Sequence, residues 1–356
     1  MLRVVVAAIL SMVLSSVVQA RVCIPEESGL PVSRHVQIDA SGAPIFGAIV
    51  RFASEPNFLN EKEVVLTFDD GPSPTLTRSI LDTLDRYCVK ATFFPVGRMA
   101  SAYPSVMKEI AARGHTIGGH TWSHPLNLRK LSEPDLIEQV EKGFAAIALA
   151  TGQPIAPFFR FPGLNDDARA LKYLQERGIA TFSVDIVSDD SFTSDVGRLT
   201  QTTLSRVSAR NRGILLFHDI KPVTAKALPR ILEGLAKRGF RIVHMTSKFA
   251  LTPLQAYKKN IKLREKREPS FRVSLDGLHG TIRPSFATRL QLQQPSLPPV
   301  TLLAPERKKV ELASTRNERI EDLTNSISLR GWAGFVDADN TEENQTKQPQ
   351  TFQDPE

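Results

Sequence analysis

From Glu63 onward, short apolar runs alternate with longer amphipathic ones, and this rhythm restricts the chain to very few architectures. Residues 64–68 read as a buried strand, and 77–87 as a helix with an apolar face at Ile80, Leu81 and Leu84. Strands follow at 91–96, 116–118, 158–161, 181–185, 213–217 and 241–244. Between them lie helices over 103–113, 133–151, 167–177, 196–209 and 223–237. Gly114, Gly178 and Gly239 close three of these helices, and Ser132 caps the long one with Pro134 in its first turn. Strands that alternate with helices imply a parallel sheet covered by helices. About seven such units predict closure into an α/β fold of the (β/α) barrel type.

Outside that stretch the rhythm fails. Residues 1–20 have the anatomy of a secretory signal: Arg3, an apolar run too short for a comfortable membrane span, then Val18-Gln19-Ala20. Export to the periplasm or beyond the cell is expected, with no membrane span once the signal is cleaved. Residues 21–60 form a turn-rich extension with a predicted strand pair at 35–38 and 45–52. From 251 to 356 a basic run at Lys258, Lys259, Lys262, Arg264, Lys266 and Arg267 leads into polar, Pro- and Gln-bearing sequence. Such a tail buries too little apolar surface to order itself, although a short helix near 326–335 fits its pattern. The expected organisation is signal (1–20), extension (21–60), folded α/β domain (61–250) and linker with disordered tail (251–356). A net charge of +7 favours polyanionic surroundings. Nucleic acid is not expected, because the ordered stretch holds no block of arginines interleaved with aromatics. The two cysteines, Cys23 and Cys88, are too few for a disulfide framework or a structural zinc site, and Cys88 reads as a buried free thiol.

Within the rhythm, the reactive residues fall at strand exits, which in a parallel barrel share one face. Asp69-Asp70-Gly71-Pro72 places two adjacent carboxylates at the first exit. That is costly unless a cation or base neutralises them; one could hold a metal while the other acts as a base. His120-Thr121-Trp122-Ser123-His124 offers two imidazoles, which with Asp70 make the two-His-one-carboxylate set of a catalytic metal site. His115 precedes its strand and reads as structural. Arg160, in Phe159-Arg160-Phe161-Pro162-Gly163, could hold an Asp ionised, and the Gly163 amide could donate to an oxyanion. His218, in Leu215-Leu216-Phe217-His218-Asp219, is placed as a general acid. Asp185 closes a predicted strand, and Asp190 reads as a loop acid.

Taken in order, TFDDGP, HTWSH, RFPG, the Asp185 region and LLFHD resemble the polysaccharide deacetylases of the NodB-homology type, carbohydrate esterase family four, over residues 60–247. The resemblance implies a distorted barrel, with Asp70, His120 and His124 as ligands of a divalent metal, Zn²⁺ with Co²⁺ as the alternative. It implies Asp69 as the base, oriented by Arg160, and His218 as the acid, supported by Asp185. Gly163 and Leu216 would contact substrate, Leu216 lining a pocket for the acetyl methyl. Two places depart from the family pattern. Phe161-Pro162-Gly163-Leu164 stands where Pro-Pro-Tyr-Gly is usual, and Ser191 follows Asp190 where the family has Trp.

The function expected is removal of acetyl groups from a polysaccharide or oligosaccharide, foremost N-acetyl on N-acetylglucosamine-type sugars. An O-acetyl esterase uses the same apparatus. A catalytically inactive glycan-binding module is the reading from another class, and it needs no general acid. Oligomeric state is not legible.

Overall fold

The computed structural model describes residues 30, 32–47 and 58–265. All of them fall in the first of two compact units, Met1–Glu268. The signal-like segment, the tail beyond 265 and the helix expected near 326–335 lie outside the described residues.

The described strands are β1 (Val32–Ile38), β2 (Ile45–Phe46), β3 (Glu63–Asp69), β4 (Thr92–Phe94), β5 (Thr116–Ile117), β6 (Phe158–Phe159), β7 (Ala180–Phe182), β8 (Ile186–Val187), β9 (Gly213–His218) and β10 (Arg241–Ser247). The helices are α1 (Leu76–Arg86), α2 (Gly97–Ala102), α3 (Pro104–Ala112), α4 (Glu133–Thr151), α5 (Ala168–Glu176), α6 (Val196–Arg210), α7 (Pro222–Lys237) and α8 (Gln255–Lys258). Every strand pairing is parallel. The wall runs β8–β9–β3–β4–β5, then passes through a bridge from Gly119 to Phe159 into β6 and β7. β7 gives its other edge to β2 instead of β8, so the wall opens there. The fold is therefore a distorted (β/α) barrel whose wall has seven strands, β3 to β9.

Strand alternation sorts the core into two layers. Val64, Leu66 and Phe68 of β3 pack outward with Ile80, Leu84 and Leu228 of the helices. Val65 faces inward among Phe94, Phe158, Phe182 and Leu216, where the Phe158 and Phe182 rings lie 4.7 Å apart. Each such ring buries about 2–3 kcal/mol of apolar transfer energy. Alternation then aims Thr67 and Asp69 into the same interior, with Asp69 at its mouth.

Several helix ends follow their predicted chemistry. Ser132 Oγ accepts from Asp135 N at 3.3 Å, and Gly114, Gly178 and Gly239 adopt φ of +75°, +62° and +72°. Other expectations are corrected. The strands near 35–38 and 45–46 form but do not pair with each other: β1 joins β10, and β2 joins β7. β10 meets β3 only at Glu63 and Val64 and otherwise carries β1, so it stands beside the wall. α2 was not foreseen, because its composition, Gly97-Arg98-Met99-Ala100-Ser101-Ala102, is poor in large apolar residues. Cys88 is disulfide-bonded and not a free thiol; the other cysteine, Cys23, lies outside the described residues.

Arg34 fastens β1 to the base of the wall. Its guanidinium donates to both Glu63 oxygens at 3.0 and 2.7 Å and to the Phe58 carbonyl at 2.6 Å. The Arg34 hydrogen bond, with the Asn60 amide adding to it, outweighs burial and holds the Glu63 carboxyl at about 2, well below the ordinary 4.5 of a glutamate. A carboxyl lowered on folding stabilises above its unfolded value and loses that contribution as pH falls toward the folded one. Glu63→Gln is thus expected to cost about 1–2 kcal/mol near neutrality, since half-exposed Arg34 is partly screened. Chemical denaturation of both proteins from pH 6 down to about 2 checks this, the gap closing below about pH 4.5.

Candidate active site

Parallel register sets the first geometry. Asp69, at the last position of β3, is paired with His218 of β9 and Phe94 of β4. Asp70 follows with φ of +78°, a left-handed conformation that Asp adopts more readily than most residues. That turn cancels the alternation that would send the second carboxylate outward, and both acids belong to one buried cluster, each 3% exposed. Left-handed backbone recurs around the same mouth at Thr121 (+64°), His124 (+60°) and Asp189 (+67°), as is common where a fold stores strain at a site.

The loop after β5 brings the imidazoles. Its shape is held by α2, whose first amides, Gly97 N–H and Arg98 N–H, donate to the carbonyls of Thr121 and Trp122. His120 Nδ1 lies 2.7 Å from the Arg160 carbonyl. A carbonyl can only accept, so Nδ1 carries a proton and Nε2 is the nitrogen turned to the cluster. It faces Asp70 Oδ1 at 3.5 Å, and His124 Nε2 faces the same oxygen at 3.3 Å. Both Asp70 oxygens are buried with no hydrogen-bond donor among the described residues. Burial opposes charge on Asp70, but the imidazoles of His120, His218 and His124 prevail and hold it well below the usual carboxylate range. Burial, against the pull of Asp70, lowers His124 to about 4, so it is neutral near pH 7. One carboxylate and two imidazoles, with ligand atoms within 4.8 Å of one another, fit a divalent cation of the zinc type.

Arg160 follows β6 and is fully buried. It donates from Nη1 to Asp69 Oδ1 at 2.8 Å and to Thr67 Oγ1 at 2.7 Å. Nε reaches the Phe182 carbonyl at 3.1 Å and Nη2 that of Ser183 at 3.3 Å, while the guanidinium lies 4.3 Å from the Phe94 ring centre. Asp69 is thereby paired with a fixed positive charge.

His218 ends β9 and is 18% exposed. Its partner is Asp190, whose Oδ1 lies 2.7 Å from Nδ1 while Oδ2 accepts the His218 N–H at 2.7 Å and Thr224 Oγ1 at 2.6 Å. Burial opposes the imidazolium, but Asp190, then Asp70 and Asp69, raise His218 to about 10. The imidazole is protonated at neutral pH, and its Nε2 points toward Asp70 Oδ2, 3.9 Å away. Asp219 beside it is 1% exposed and pushed up to about 7 by burial and the charge of Asp70, against the bond from Thr77.

Asp69, Asp70, His120, His124, Arg160 and His218 are thus brought together as predicted. Asp185 is not. β7 ends at Phe182 and the chain crosses to β8, leaving Asp185 at the opposite end of the barrel. There it accepts the Ile214 N–H at 2.8 Å and lies 3.7 Å from Arg210, about 13 Å along β9 from His218. The support expected from Asp185 comes from Asp190, read from sequence as a loop acid. The missed signal was β8: once Ile186–Val187 is a strand, Asp190 stands at a strand exit like the others. Leu216 faces the interior two residues below His218. Gly163 is exposed in a tight turn after Arg160, beside Leu126.

A model of the polysaccharide deacetylase family matches residues 57–182. A peptidoglycan-N-acetylglucosamine deacetylase of Bacillus cereus is 35% identical over 197 residues, 53% of this chain and 69% of that protein. The peptidoglycan-N-acetylglucosamine deacetylase PgdA of Listeria monocytogenes is 32% identical over 195 residues, 54% of this chain. The chain spans only 40% of that relative's length. Among solved structures, a peptidoglycan deacetylase of Bdellovibrio bacteriovorus superposes with a TM-score of 0.56 at 30% identity, covering 67% of this chain and 65% of that one.

Arg160→Met removes the charge that compensates buried Asp69 while keeping much of the volume. The expected loss is about 3–5 kcal/mol of unfolding free energy, read by denaturant titration. Arg160→Lys is expected to recover only part of it, because an ammonium cannot reach four acceptors in a plane.

Proposed function

The chain belongs to the polysaccharide deacetylase family, and on that premise we propose that it is a metal-dependent hydrolase removing acetyl groups from a glycan. The preferred substrate in this reading is an N-acetylglucosamine-type sugar in a polysaccharide or oligosaccharide. One observation carries it: buried, donor-free Asp70 between two imidazoles, with a paired carboxylate on one side and a protonated imidazole on the other. Binding alone requires neither of those flanking groups.

Asp70, His120 and His124 would hold the cation, with Zn²⁺ the best match to the donor set and Co²⁺ the alternative. When bound, such an ion supplies a Lewis acid for the acetyl carbonyl and lowers the pKa of water. Asp69, kept in place by Arg160, accepts the proton of the attacking water. A new C–O bond forms at the acetyl carbon, and the Gly163 amide is assigned to the developing oxyanion. His218 then gives the proton held on Nε2 to the departing nitrogen as the C–N bond breaks, and Asp190 stabilises the imidazolium beforehand. Leu216 is assigned to the acetyl methyl. No covalent intermediate with the protein is needed.

Residues 61–250 would form the catalytic domain of an exported protein, with 1–20 as its signal, 21–60 as an extension and 251–356 as linker and tail. No helix among the described residues is long and apolar enough to cross a membrane.

Acetate release from chitin oligomers and from acetylxylan tests the reading. Chelation is expected to abolish release, and Zn²⁺ or Co²⁺ to restore it. Asp69→Asn, metal-loaded, is expected to be at least about 100-fold slower. Release indifferent to Asp69→Asn would sink the assigned base. Preference for acetylxylan would move the assignment to O-acetyl ester hydrolysis, and metal binding with no release from either glycan would favour a binding module.

A further inference from the structure

Asp219 is a buried acid with no part in the reaction just described. It follows His218 directly, and its N–H lies 3.4 Å from the Asp69 carbonyl, so it extends the contact between β9 and β3 beyond the last strand pair. Its carboxyl fills the space beneath the turn 69–73, where a Cβ at Gly71 would collide with both of its oxygens. Thr77 secures the far end of that turn. Its Oγ1 donates to Asp219 Oδ2 at 2.7 Å and accepts the Ser73 N–H at 2.7 Å. One carboxyl and one hydroxyl therefore brace the turn at Gly71 and at Ser73.

Asp70 sits inside this turn. No donor among the described residues holds its oxygens. Its own backbone is tied by the bond from its N–H to the Phe94 carbonyl at 3.2 Å. The left-handed backbone at Asp70 therefore depends on what the rest of the turn rests against: the Val96 N–H, which donates to the Gly71 carbonyl at 3.1 Å, on one side, and the Asp219 carboxyl beneath. We propose that Asp219 is a positioning residue: with Thr77 it clamps the 69–73 turn so that the Asp70 carboxylate meets His120 and His124, in register with His218. This rests on the reading of Asp70 as a metal ligand. Gly71 and Asp219 are complementary, the missing Cβ of one making room for the carboxyl of the other. Asp219→Ala would leave a void under the turn and Thr77 without its acceptor, freeing the turn to relax.

The experiment uses the full chain and Asp219→Ala, Asp219→Asn and Thr77→Val. For each, Zn²⁺ affinity is measured by competition with a chromophoric chelator, alongside the Tm of the metal-free protein and kcat and KM for acetate release. Asp219→Ala is expected to weaken Zn²⁺ by about 10–100-fold, as loss of a group that orients a ligand does, and to lower kcat with KM little changed. Thr77→Val should move the same way by less. Asp219→Asn should stay within about threefold of wild type, because its amide oxygen still accepts from Thr77. A purely structural role would lower Tm and leave Zn²⁺ affinity untouched. Wild-type affinity in both Asp219→Ala and Thr77→Val overturns the inference, and Thr77→Val alone decides it if Asp219→Ala does not fold. A wild-type chain that takes up no Zn²⁺ overturns this inference together with the proposed function. One that binds Zn²⁺ without releasing acetate sinks only the latter.

Discussion

A guanidinium with no access to water organises this molecule. Arg160 cannot shed its charge, and a buried cation is tolerated only when its donors are met and its charge is compensated. Asp69 supplies the charge, Thr67 and the carbonyls of Phe182 and Ser183 meet the other donors, and Phe94 lies against its face. The barrel's irregularity serves this arrangement. β7 does not pair with β8, and the carbonyls at its end, of Phe182 and Ser183, accept from Arg160. The same residue's main chain takes the Gly119 carbonyl and fixes the proton on His120. Asp69, His120 and the bridge between β5 and β6 are thus bound to one residue, and none can shift alone.

The site was legible where local pattern and topology coincide. Apolar strands as long as β3 and β9, seven and six residues, announce their own exits and place Asp69, Asp70 and His218, whereas His120 and Arg160 follow two-residue strands and are legible from the motifs around them. Pattern fails where an element is too short to show a period. β8 has two residues, so Asp185 was taken for a strand exit and Asp190 for a loop. The correction turns on which end of β9 each acid meets.

Other misses share a cause, which is dependence on distant partners. Two strands separated by a turn usually pair with each other, but β1 and β2 each found a free edge more than about 130 residues away in sequence. α2 forms from small residues because Gly97 lets it approach Gly143 of α4 and Trp122, a closeness no local window shows. Whether Cys88 pairs is likewise a question of distance in space.

The left-handed residue at the mouth of β3 separates what a mutation does to the fold from what it does to the chemistry. Asparagine tolerates that backbone as well as aspartate does, and it matches aspartate in size. A one-base change at codon 70 could therefore erase the anionic ligand while every strand, cap and ion pair stays in place. Under the proposed function, a chain changed in this way would lose turnover in a single step and keep its fold. At Arg160 no comparable route exists, because losing that charge costs the fold itself.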